Sequence, residues 1–458
     1  MAATSETDVV VIGAGISGVV TAKCLLDVGL KVKVLERTGE VGGLWTFRDK
    51  VGYGVMRCTH INVSKHNYCF SDFPFPDDVP DYPHHSHMAK YITDYVMHFG
   101  INNVISFQTQ VNKIERKDDK WVVTATRVED DGKGGWSTGE EEVYVAKCRK
   151  VYLSTRSGAW VLPNYVFGRP TDHYACRTFL WLPWKLATNV LETVVTLIHG
   201  SPYRWGLNPK MRALQTQPTV SPTLIHNIQR NNVTIKPNIT RFEGSTVHFT
   251  DGSSAVVDHV VMCTGFRVSL PFLPDDVKEK VLEEGSNSIK LYKNVFCPDV
   301  GSSLAFIGFV QPASGGILSM SETQARWFAE LCLNHVKLPN RAAMEADIRD
   351  DEERTAKRYF ASARHTIQKD PLLYNDSIAA QFGAKPQIWR HPRLAWRLLL
   401  GSCGAAQWRL QGPGRWDRAA EVVRSVPVTE FILYSAILVL VLLLLLLTYL
   451  GYVVSRLA

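Results

Sequence analysis

Three glycines and a glutamate near the N-terminus have the types and the spacing that bind a dinucleotide. The motif G-x-G-x-x-G occupies residues 13–18, directly after the apolar run of residues 9–12. Gly13 permits a tight turn, Gly15 leaves room for a pyrophosphate beside the backbone, and Gly18 lets a helix pack closely on a strand. Glu36 ends the next apolar run. Its carboxylate can accept hydrogen bonds from ribose hydroxyls and would repel a 2′-phosphate, so the site favours FAD or NAD over NADP.

The same stretch encodes the elements that must position these residues. Residues 9–12 predict a strand, the apolar residues between 16 and 26 recur at helical spacing, and residues 31–35 predict a second strand after Gly29. The N-terminus of the helix would direct its free N–H groups at the phosphates. A second glycine pair, Gly42-Gly43, follows and favours the larger FAD. The pattern predicts a Rossmann-type α/β fold.

The C-terminus has the composition of a membrane anchor. In this chain of 458 residues, the run 431–455 contains no charged residue and lies between Glu430 and Arg456. Since about 20 apolar residues cross a bilayer core, we expect a C-terminal transmembrane helix. A buried core helix is the alternative, but a leucine block this long has no polar face for solvent. The first residues, MAATSETDVVVIGAG, lack the pattern of a signal peptide, so the rest of the chain is expected in the cytosol.

The charge and composition of the rest of the chain limit the kinds of partner that we expect. The net charge is +7. The stretch from Lys385 to Arg424 contains eight Lys or Arg residues, two carboxylates and four tryptophans. This mixture predicts a surface that faces membrane lipid. A nucleic-acid patch has the same composition, but beside an anchor we expect no nucleic-acid partner. A solvated face with buried aromatics is the third interpretation. Nine cysteines without a C-x-x-C pair indicate reduced thiols.

Seven motifs in one order extend the dinucleotide signal along the chain. They are VVVIGAGISG, LERTGEVGGLW, CTHINVSKHNYCFSDFPFP, VYLSTRSGAW, VVMCTGF, LAFIGFVQPASGGILSMSETQARW and QGPGRWD. Together they resemble the flavin-containing monooxygenases, a membrane-bound family that oxygenates nitrogen and sulfur nucleophiles. The resemblance covers residues 8 to about 418. It implies an endoplasmic reticulum membrane protein with one C-terminal anchor and a cytosolic catalytic part.

The resemblance also assigns site residues. The positions at which the family contacts FAD are Gly13, Ala14, Gly15, Ile16, Ser17, Gly18, Glu36, Leu44 and Trp45. Asn62 matches the family's active-site asparagine, and Val63 replaces the small hydroxyl residue usual beside it. Arg156 matches the arginine that grips the 2′-phosphate of NADPH through a bidentate fork. Thr264 and Gly265 match an ATG-like linker, with Cys263 in place of its alanine.

The implied reaction needs FAD, NADPH and dioxygen. NADPH reduces the flavin, dioxygen adds to it, and the resulting flavin hydroperoxide oxygenates a small lipophilic amine or sulfide. Such an intermediate survives in a dry cavity with a few fixed hydrogen bonds. No metal is required. His84, His85 and His87 lie close together, but no carboxylate or cysteine stands at ligand spacing beside them, so we expect no metal site.

The NADPH half of the site is incomplete in the sequence. No second G-x-G-x-x-G or related glycine-serine loop follows residue 18, and residues 121–126 lead through a polar hairpin directly to VYLSTR. A βαβ unit needs roughly 30 residues, so we interpret the gap as a deletion joined near Lys147 and Cys148. We expect weaker NADPH binding and an uncovered sheet edge at residues 151–153. Two alternatives remain: a variant that binds FAD but not NADPH and lacks turnover, and a flavin oxidase reduced by its own substrate.

The expected architecture is an FAD domain interrupted by a truncated NADPH domain. The FAD domain would comprise residues 1–147 and 256–330, the NADPH remnant 148–255, a helical membrane-proximal region 331–425, and the anchor 431–455. Residues 255–262 are predicted to return as a strand to the FAD sheet. Residues 304–309 predict a further strand, and a helix is predicted to begin near Ser321, with Gln324 completing a capping box.

Overall fold

The computed structural model describes residues 6–48, 54–118, 120–128, 150–263, 265, 268–283, 287–360, 367–402, 404–428 and 430–457. Its α-helices are, in chain order, α1 (Ile16–Asp27), α2 (His85–His98), α3 (Arg177–Leu180), α4 (Trp184–His199), α5 (Leu224–Gln229), α6 (Asp275–Val281), α7 (Ile317–Cys332), α8 (Arg341–Arg358), α9 (Pro371–Ala380), α10 (Ala395–Leu400), α11 (Ala419–Ser425) and α12 (Glu430–Leu457).

The described strands are mostly short. They are β1 (Val9–Ile12), β2 (Val32–Leu35), β3 (Ile105–Ser106), β4 (Thr109–Lys117), β5 (Lys120–Arg127), β6 (Val151–Ser154), β7 (Val161–Leu162), β8 (Tyr165–Val166), β9 (Arg169–Pro170), β10 (Thr219–Val220), β11 (Val233–Lys236), β12 (Ile239–Glu243), β13 (Thr246–Phe249), β14 (Ser254–Val256), β15 (Gln311–Pro312) and β16 (Gln368–Lys369).

The N-terminal strands form a parallel sheet in the order β1-β2-β3. β1 and β2 pair residue for residue, from Val9 with Val32 to Ile12 with Leu35. Parallel neighbours need a crossover connection, which α1 supplies. Gly29 ends α1 with a φ of +81°, a conformation that favours glycine, and the chain turns there into β2. The predicted α/β start of the fold is confirmed.

The main hydrophobic core lies where α1 packs against α7. Val19 and Val20 of α1 are fully buried, as are Leu318 and Met320 of α7. Polar side chains of α7 are buried as well, and buried polar groups need internal partners. This central helix therefore makes specific hydrogen bonds to its neighbours, several of them at the candidate site.

The segment between residues 150 and 256 has sheets of its own. β6 pairs in parallel with β11, and β12-β13-β14 form an antiparallel meander. Within the described part of the chain, β11 is the one strand beside β6, and Val151 and Leu153 of β6 are 43% and 38% exposed. This agrees with the uncovered edge expected from the sequence. The join expected near residues 147–148 lies outside the described residues.

Two predicted strands and one helix start differ from the structure. The strand expected over 255–262 is limited to Ser254–Val256, which pairs with β13 and not with the FAD sheet. The run 304–309 forms only a bridge between Ala305 and Phe296. α7 begins at Ile317, four residues before Ser321, and its N-cap is Gly316 without a side-chain cap. Apolar runs predict extended backbone, but a ladder also needs a neighbour in register.

The C-terminal part is mostly helical, in α8 to α12. In α12, the structure describes the side chains of Tyr434 and of residues 438–450, and these are exposed. Within the part of the chain that the structure describes, no helix meets the length and hydropathy needed to cross a membrane. The cysteines within the described residues are free thiols.

Candidate functional site

The glycine loop after β1 has a backbone that admits only glycine at two points. Gly13 has a φ of +95°. A Cβ added to Gly18 would lie 1.9 Å from the carbonyl oxygen of Gly13, so the helix can approach the strand this closely only without a side chain. Both positions fulfil the roles that the sequence assigned to them.

A second glycine turn packs against the first. The N–H of Gly42 donates to the carbonyl oxygen of Ala14 at 3.1 Å, and a Cβ on Gly43 would lie 3.1 Å from the Cα of Gly15. The turn 43–45 follows, where Leu44 is 61% exposed and the ring of Trp45 meets Tyr68 edge-on at 5.7 Å. The structure therefore brings together the two glycine pairs that the sequence placed near one pocket.

Glu36 organises the glycine loop itself. One carboxylate oxygen accepts from the N–H of Ala14 at 2.7 Å, and the other accepts from the N–H and the hydroxyl of Thr38 at 2.8 and 2.7 Å. Each carboxylate oxygen has two acceptor sites, so the residue can still accept from a ribose hydroxyl. Sequence reasoning assigned only the ribose contact. The loop contact was missed because it depends on the paired register of β1 and β2.

The first turn of α1 meets the helix α7. Gly15 is the N-cap of α1 and makes no side-chain cap hydrogen bond, so the N–H groups after it, beginning at Ile16, have no side-chain cap. The hydroxyl of Ser17 lies 3.1 Å from that of Ser321. An uncapped helix start beside close-packed glycines is a cradle for a pyrophosphate, and these residues fit the flavin dinucleotide.

Gln324 has a different role from the predicted capping box. Its Oε1 accepts from the N–H of Gly308 at 2.8 Å, and its Nε2 donates to the hydroxyl of Tyr374 at 2.6 Å. A Cβ on Gly308 would lie 2.2 Å from the hydroxyl of Ser17. The segment 304–309 is thus held between α1 and α7, beside the glycine loop, although it is not a strand.

Asn62 lies at the exposed tip of a loop whose other residues are held firmly. Val63 is 6% exposed, Ser64 is fully buried, and Lys65 is 9% exposed. The ammonium group of Lys65 donates to the carbonyl oxygens of residues 76, 77 and 79 at 3.3, 2.9 and 2.5 Å. A Cβ on Gly316 would lie 2.5 Å from the carbonyl oxygen of Asn67, so the loop also touches the N-terminus of α7.

Asp172 and His173 bind this loop from the other side, and sequence reasoning missed both. The Asp172 carboxylate accepts from the N–H and the hydroxyl of Ser64 at 3.2 and 2.6 Å, and from the side-chain amide of Asn67 at 2.6 Å. His173 Nε2 lies 2.9 Å from the hydroxyl of Ser64. Burial lowers the pKa of His173, against the opposing charges of Asp172 and Asp81.

The remaining predicted residues belong to the NADPH side and the linker. Arg156 is exposed two residues after β6 and makes no hydrogen bond or ion pair with other described residues, so its guanidinium is available to a ligand. Gly265 has a φ of +88°. Thr264 lies outside the described residues. No structural contact joins Arg156 to the glycine loop or to Asn62 in the described part of the chain.

A buried ion cluster fixes the region of the QGPGRWD motif to the core. Arg409 contacts Glu322 of α7 at 2.7 Å and Asp72 at 3.0 Å, and Lys23 of α1 contacts Asp72 at 2.6 Å. Burial alone would raise the pKa of Asp72, but the charges of Arg409 and Lys23 outweigh burial and hold that pKa below its usual range. The cluster joins α1, α7 and the C-terminal region.

The rings of three histidines near α2 lie close to one another, edge-on or tilted. The rings of His60 and His84 lie 4.9 Å apart, and those of His84 and His85 lie 4.1 Å apart. α2 begins at His85, so His85 and His87 belong to its first turn. Among the described residues, no group of three or more His, Cys, Asp or Glu side chains could hold a metal ion.

Comparison with known proteins places this geometry in a family. The family model described as flavin-binding monooxygenase-like matches residues 6–135 and 132–426. Flavin-containing monooxygenase 5 of Mus musculus is 34% identical over 491 aligned positions, which cover 91% of each chain. Dimethylaniline monooxygenase [N-oxide-forming] 2 of Oryctolagus cuniculus is 28% identical over 91% of this chain and 90% of its own. The solved structure of S-allyl-L-cysteine S-oxygenase from Allium sativum is similar with a TM-score of 0.55, at 20% identity, over 85% of this chain and 91% of that one.

The chain belongs to the flavin-binding monooxygenase-like family. It is an oxidoreductase, a flavin-dependent monooxygenase whose cofactors are FAD and NADPH and whose co-substrate is dioxygen. The family match and the relatives confirm the family inferred from the seven motifs, and the glycine cradle at residues 13–18 fits the flavin dinucleotide.

Proposed function

We propose that this monooxygenase oxygenates small lipophilic amines or sulfides at nitrogen or sulfur. The observation that carries the proposal is the loop of Asn62 lying against the N-terminus of α7, which in turn packs on the glycine cradle. The names of two relatives support the substrate class, since one is an N-oxide-forming monooxygenase and another an S-oxygenase. A soft, uncharged nucleophile suits a reaction in which the protein supplies no nucleophile of its own.

Each part of the site has a distinct duty in this proposal. Bound FAD supplies the redox chemistry, which takes a hydride from NADPH and activates dioxygen. Glu36 and the glycines at residues 13–18 hold the dinucleotide. The amide of Asn62 offers a hydrogen-bond donor and an acceptor at an exposed loop tip, where a ligand can reach it. The side chain of Val63 cannot donate a hydrogen bond, so side-chain hydrogen bonds to a ligand at this point would come from Asn62.

We further propose that the NADPH site is a half-site left by an internal deletion. Two features of the comparisons support this. The family match is split at residues 132–135, and the alignment with the mouse relative runs over 491 positions although the chain has only 458 residues. Arg156 would grip the 2′-phosphate, while the sequence after residue 18 contains no second G-x-G-x-x-G loop that could cradle the pyrophosphate. We therefore expect NADPH to bind more weakly than it would to a complete site.

The domain boundaries follow from the same proposal. Residues 1–147 and 256–330 form the FAD domain, 148–255 the NADPH remnant, and 331–425 the helical region. The separate sheets of β6-β11 and β12-β13-β14, which share no strand with β1-β2-β3, support the division.

Membrane attachment at the endoplasmic reticulum is part of the proposal. The helix α12 would be the anchor of residues 431–455, because its described leucines are exposed. Trp389 and Trp396 are 76% and 43% exposed, which suits contact with lipid headgroups, whereas Trp408 is buried. Sedimentation with microsomal vesicles before and after deletion of residues 430–458 tests this. A deleted chain that still pellets after an alkaline wash would show that the anchor lies elsewhere.

Anaerobic mixing of the FAD-loaded protein with NADPH tests the catalytic proposal. We expect the flavin absorbance near 450 nm, roughly the usual position for oxidised flavin, to bleach with a saturable dependence on NADPH. Arg156→Gln should raise the NADPH concentration needed for half-maximal bleaching, whereas the exposed Arg230→Gln serves as a control in the same segment. Flavin that dithionite bleaches but NADPH does not would support the alternative, a chain that binds FAD without monooxygenase turnover.

A further inference from the structure

A carboxylate from the segment 148–255 holds the Asn62 loop across the domain boundary. Asp172 takes three hydrogen bonds from that loop, although Ser64 lies 108 residues earlier in the chain. Hydrogen bonds to a charged acceptor are short and about twice as strong as neutral ones. Two of the three are 2.6 Å long, between Asp172 Oδ2 and the donors of Ser64 and Asn67.

His173 completes the arrangement through the same hydroxyl. The proton of Ser64 points to Asp172, so the Ser64 oxygen accepts from His173 Nε2–H at 2.9 Å. His173 is 1% exposed, and its Nδ1 has no partner among the described residues. Its ring also meets that of His66 edge-on at 5.6 Å.

These three side chains are not a nucleophilic triad. In a triad the carboxylate orients the histidine and the histidine takes the serine proton. Here Asp172 bonds directly to Ser64, whose side chain is fully buried and closed to a substrate. The geometry fits a clamp on the loop and does not fit attack on a substrate.

The clamp determines how much of the loop can move. Lys65 fixes the loop to residues 76–79, and Asn67 lies against Gly316 of the α7 start. Asp172 holds Ser64, two residues after Asn62. The N–H of Ile61, directly before Asn62, donates to the carbonyl oxygen of Pro83 at 2.9 Å. The backbone is thus held on both sides of the exposed Asn62. Its backbone position therefore depends on the docking of residues 172–173.

We propose that Asp172 and His173 are positioning residues that set Asn62 and so couple the NADPH segment to oxygen transfer. This rests on the proposed function. In productive turnover, NADPH, a proton, dioxygen and the substrate give NADP⁺, water and the oxygenated product. When Asn62 is misplaced, NADPH, a proton and dioxygen give NADP⁺ and hydrogen peroxide, and the substrate is unchanged.

The test compares Asp172→Asn and Ser64→Ala with the unmodified full-length protein. In Asp172→Asn the negative charge is lost and one of the two acceptor oxygens becomes an NH₂ donor. That donor faces either the Ser64 N–H or the donors of Ser64 and Asn67 that bond to Oδ2, so the clamp is weakened. We expect the ratio of hydrogen peroxide to oxygenated product to rise about tenfold, the scale of a lost hydrogen bond to a charged group. FAD content and the KM for NADPH should stay unchanged while kcat for product falls. Ser64→Thr, which keeps the hydroxyl, should restore coupling, and the exposed Asp258→Asn should behave as the unmodified protein.

A second readout separates this inference from the proposed function. Hydrogen–deuterium exchange of a peptide covering residues 59–70 reports loop opening without any turnover. If the unmodified protein oxidises no NADPH, the proposed function fails. Faster exchange in Asp172→Asn than in the unmodified protein would still support the clamp. Exchange and product ratio that match those of Asp258→Asn would overturn the inference. Loss of FAD in step with the product would overturn it as well, because the role would then be structural only.

Discussion

The carboxylate of Glu36 accepts a hydrogen bond from the backbone N–H of Ala14 at 2.7 Å. The residue that should select the ribose therefore also shapes the loop that holds the pyrophosphate. Removing the Glu36 carboxylate would remove both the contact to the loop and the contact to the ribose. We therefore expect its loss to weaken FAD binding more than the loss of a single ligand contact would.

Replacing Glu36 by alanine is expected to weaken FAD binding. A hydrogen bond to a charged group contributes about 1.5–3 kcal/mol, so loss of the Ala14 contact alone predicts a ten- to hundredfold rise in the Kd for FAD, roughly. Fluorescence titration of the apoprotein with FAD measures it. Glu40→Ala is the matched control, because Glu40 is exposed and its carboxylate pairs with Arg48 alone among the described residues. Equal Kd values for the two variants would refute the loop-ordering role.

A methyl group at Gly18 is expected to disrupt the cradle. The added Cβ would lie 1.9 Å from the carbonyl oxygen of Gly13 and 2.9 Å from its carbonyl carbon, and these backbone atoms cannot shift as easily as a flexible side chain. Overpacking of this kind costs about 1–3 kcal/mol, and FAD retention should fall with it. Gly39→Ala is the control, since nothing lies within 4 Å of its added Cβ. Thermal unfolding and flavin content of the purified variants decide the question, and a Gly18→Ala protein with full flavin would contradict the geometry.

Local patterns predicted the elements that depend on local residues. The strand-glycine-helix-strand unit of residues 9–35 follows from periodicity and glycine placement, and β6 follows from the apolar run 151–153. Asp172 and Ser64 could not be paired in advance, because no pattern links two polar residues 108 positions apart. The run 304–309 was predicted as a strand, but it is held instead by Gln324 and by contact with Ser17, which are tertiary contacts. The start of α7 was predicted four residues too far along the chain. The prediction relied on a side-chain cap, whereas the helix is preceded by a close backbone contact of Gly316 with Asn67.

Arg409→Met is expected to destabilise the fold strongly. It leaves Glu322 and Asp72, whose side chains are 2% and 8% exposed, without their shared cation. Breaking a buried ion pair by removing one partner costs about 3–5 kcal/mol. The exposed pair of Arg418 and Glu421 is the control, and Arg418→Met should change the free energy of unfolding by less than about 1 kcal/mol. Urea unfolding in detergent measures both, and similar midpoints would refute the structural role of the cluster.

Stability is expected to fall as the pH drops below about 6.5, the ordinary pKa of histidine. Burial lowers the pKa of His66 and of His173, and in His66 the neighbouring His173 and Lys65 lower it further. Both rings are thus neutral in the folded chain at a pH where the unfolded chain already binds protons. The unfolded state then binds more protons than the folded state, so the free energy of unfolding rises with pH through this range. The stability that these two histidines contribute is lost on acidification. Thermal unfolding between pH 5 and 8, approximately the range over which histidine titrates, measures the slope. His66→Asn should flatten the slope and the exposed His87→Asn should not, whereas equal slopes in all three proteins would assign the acid sensitivity to other groups.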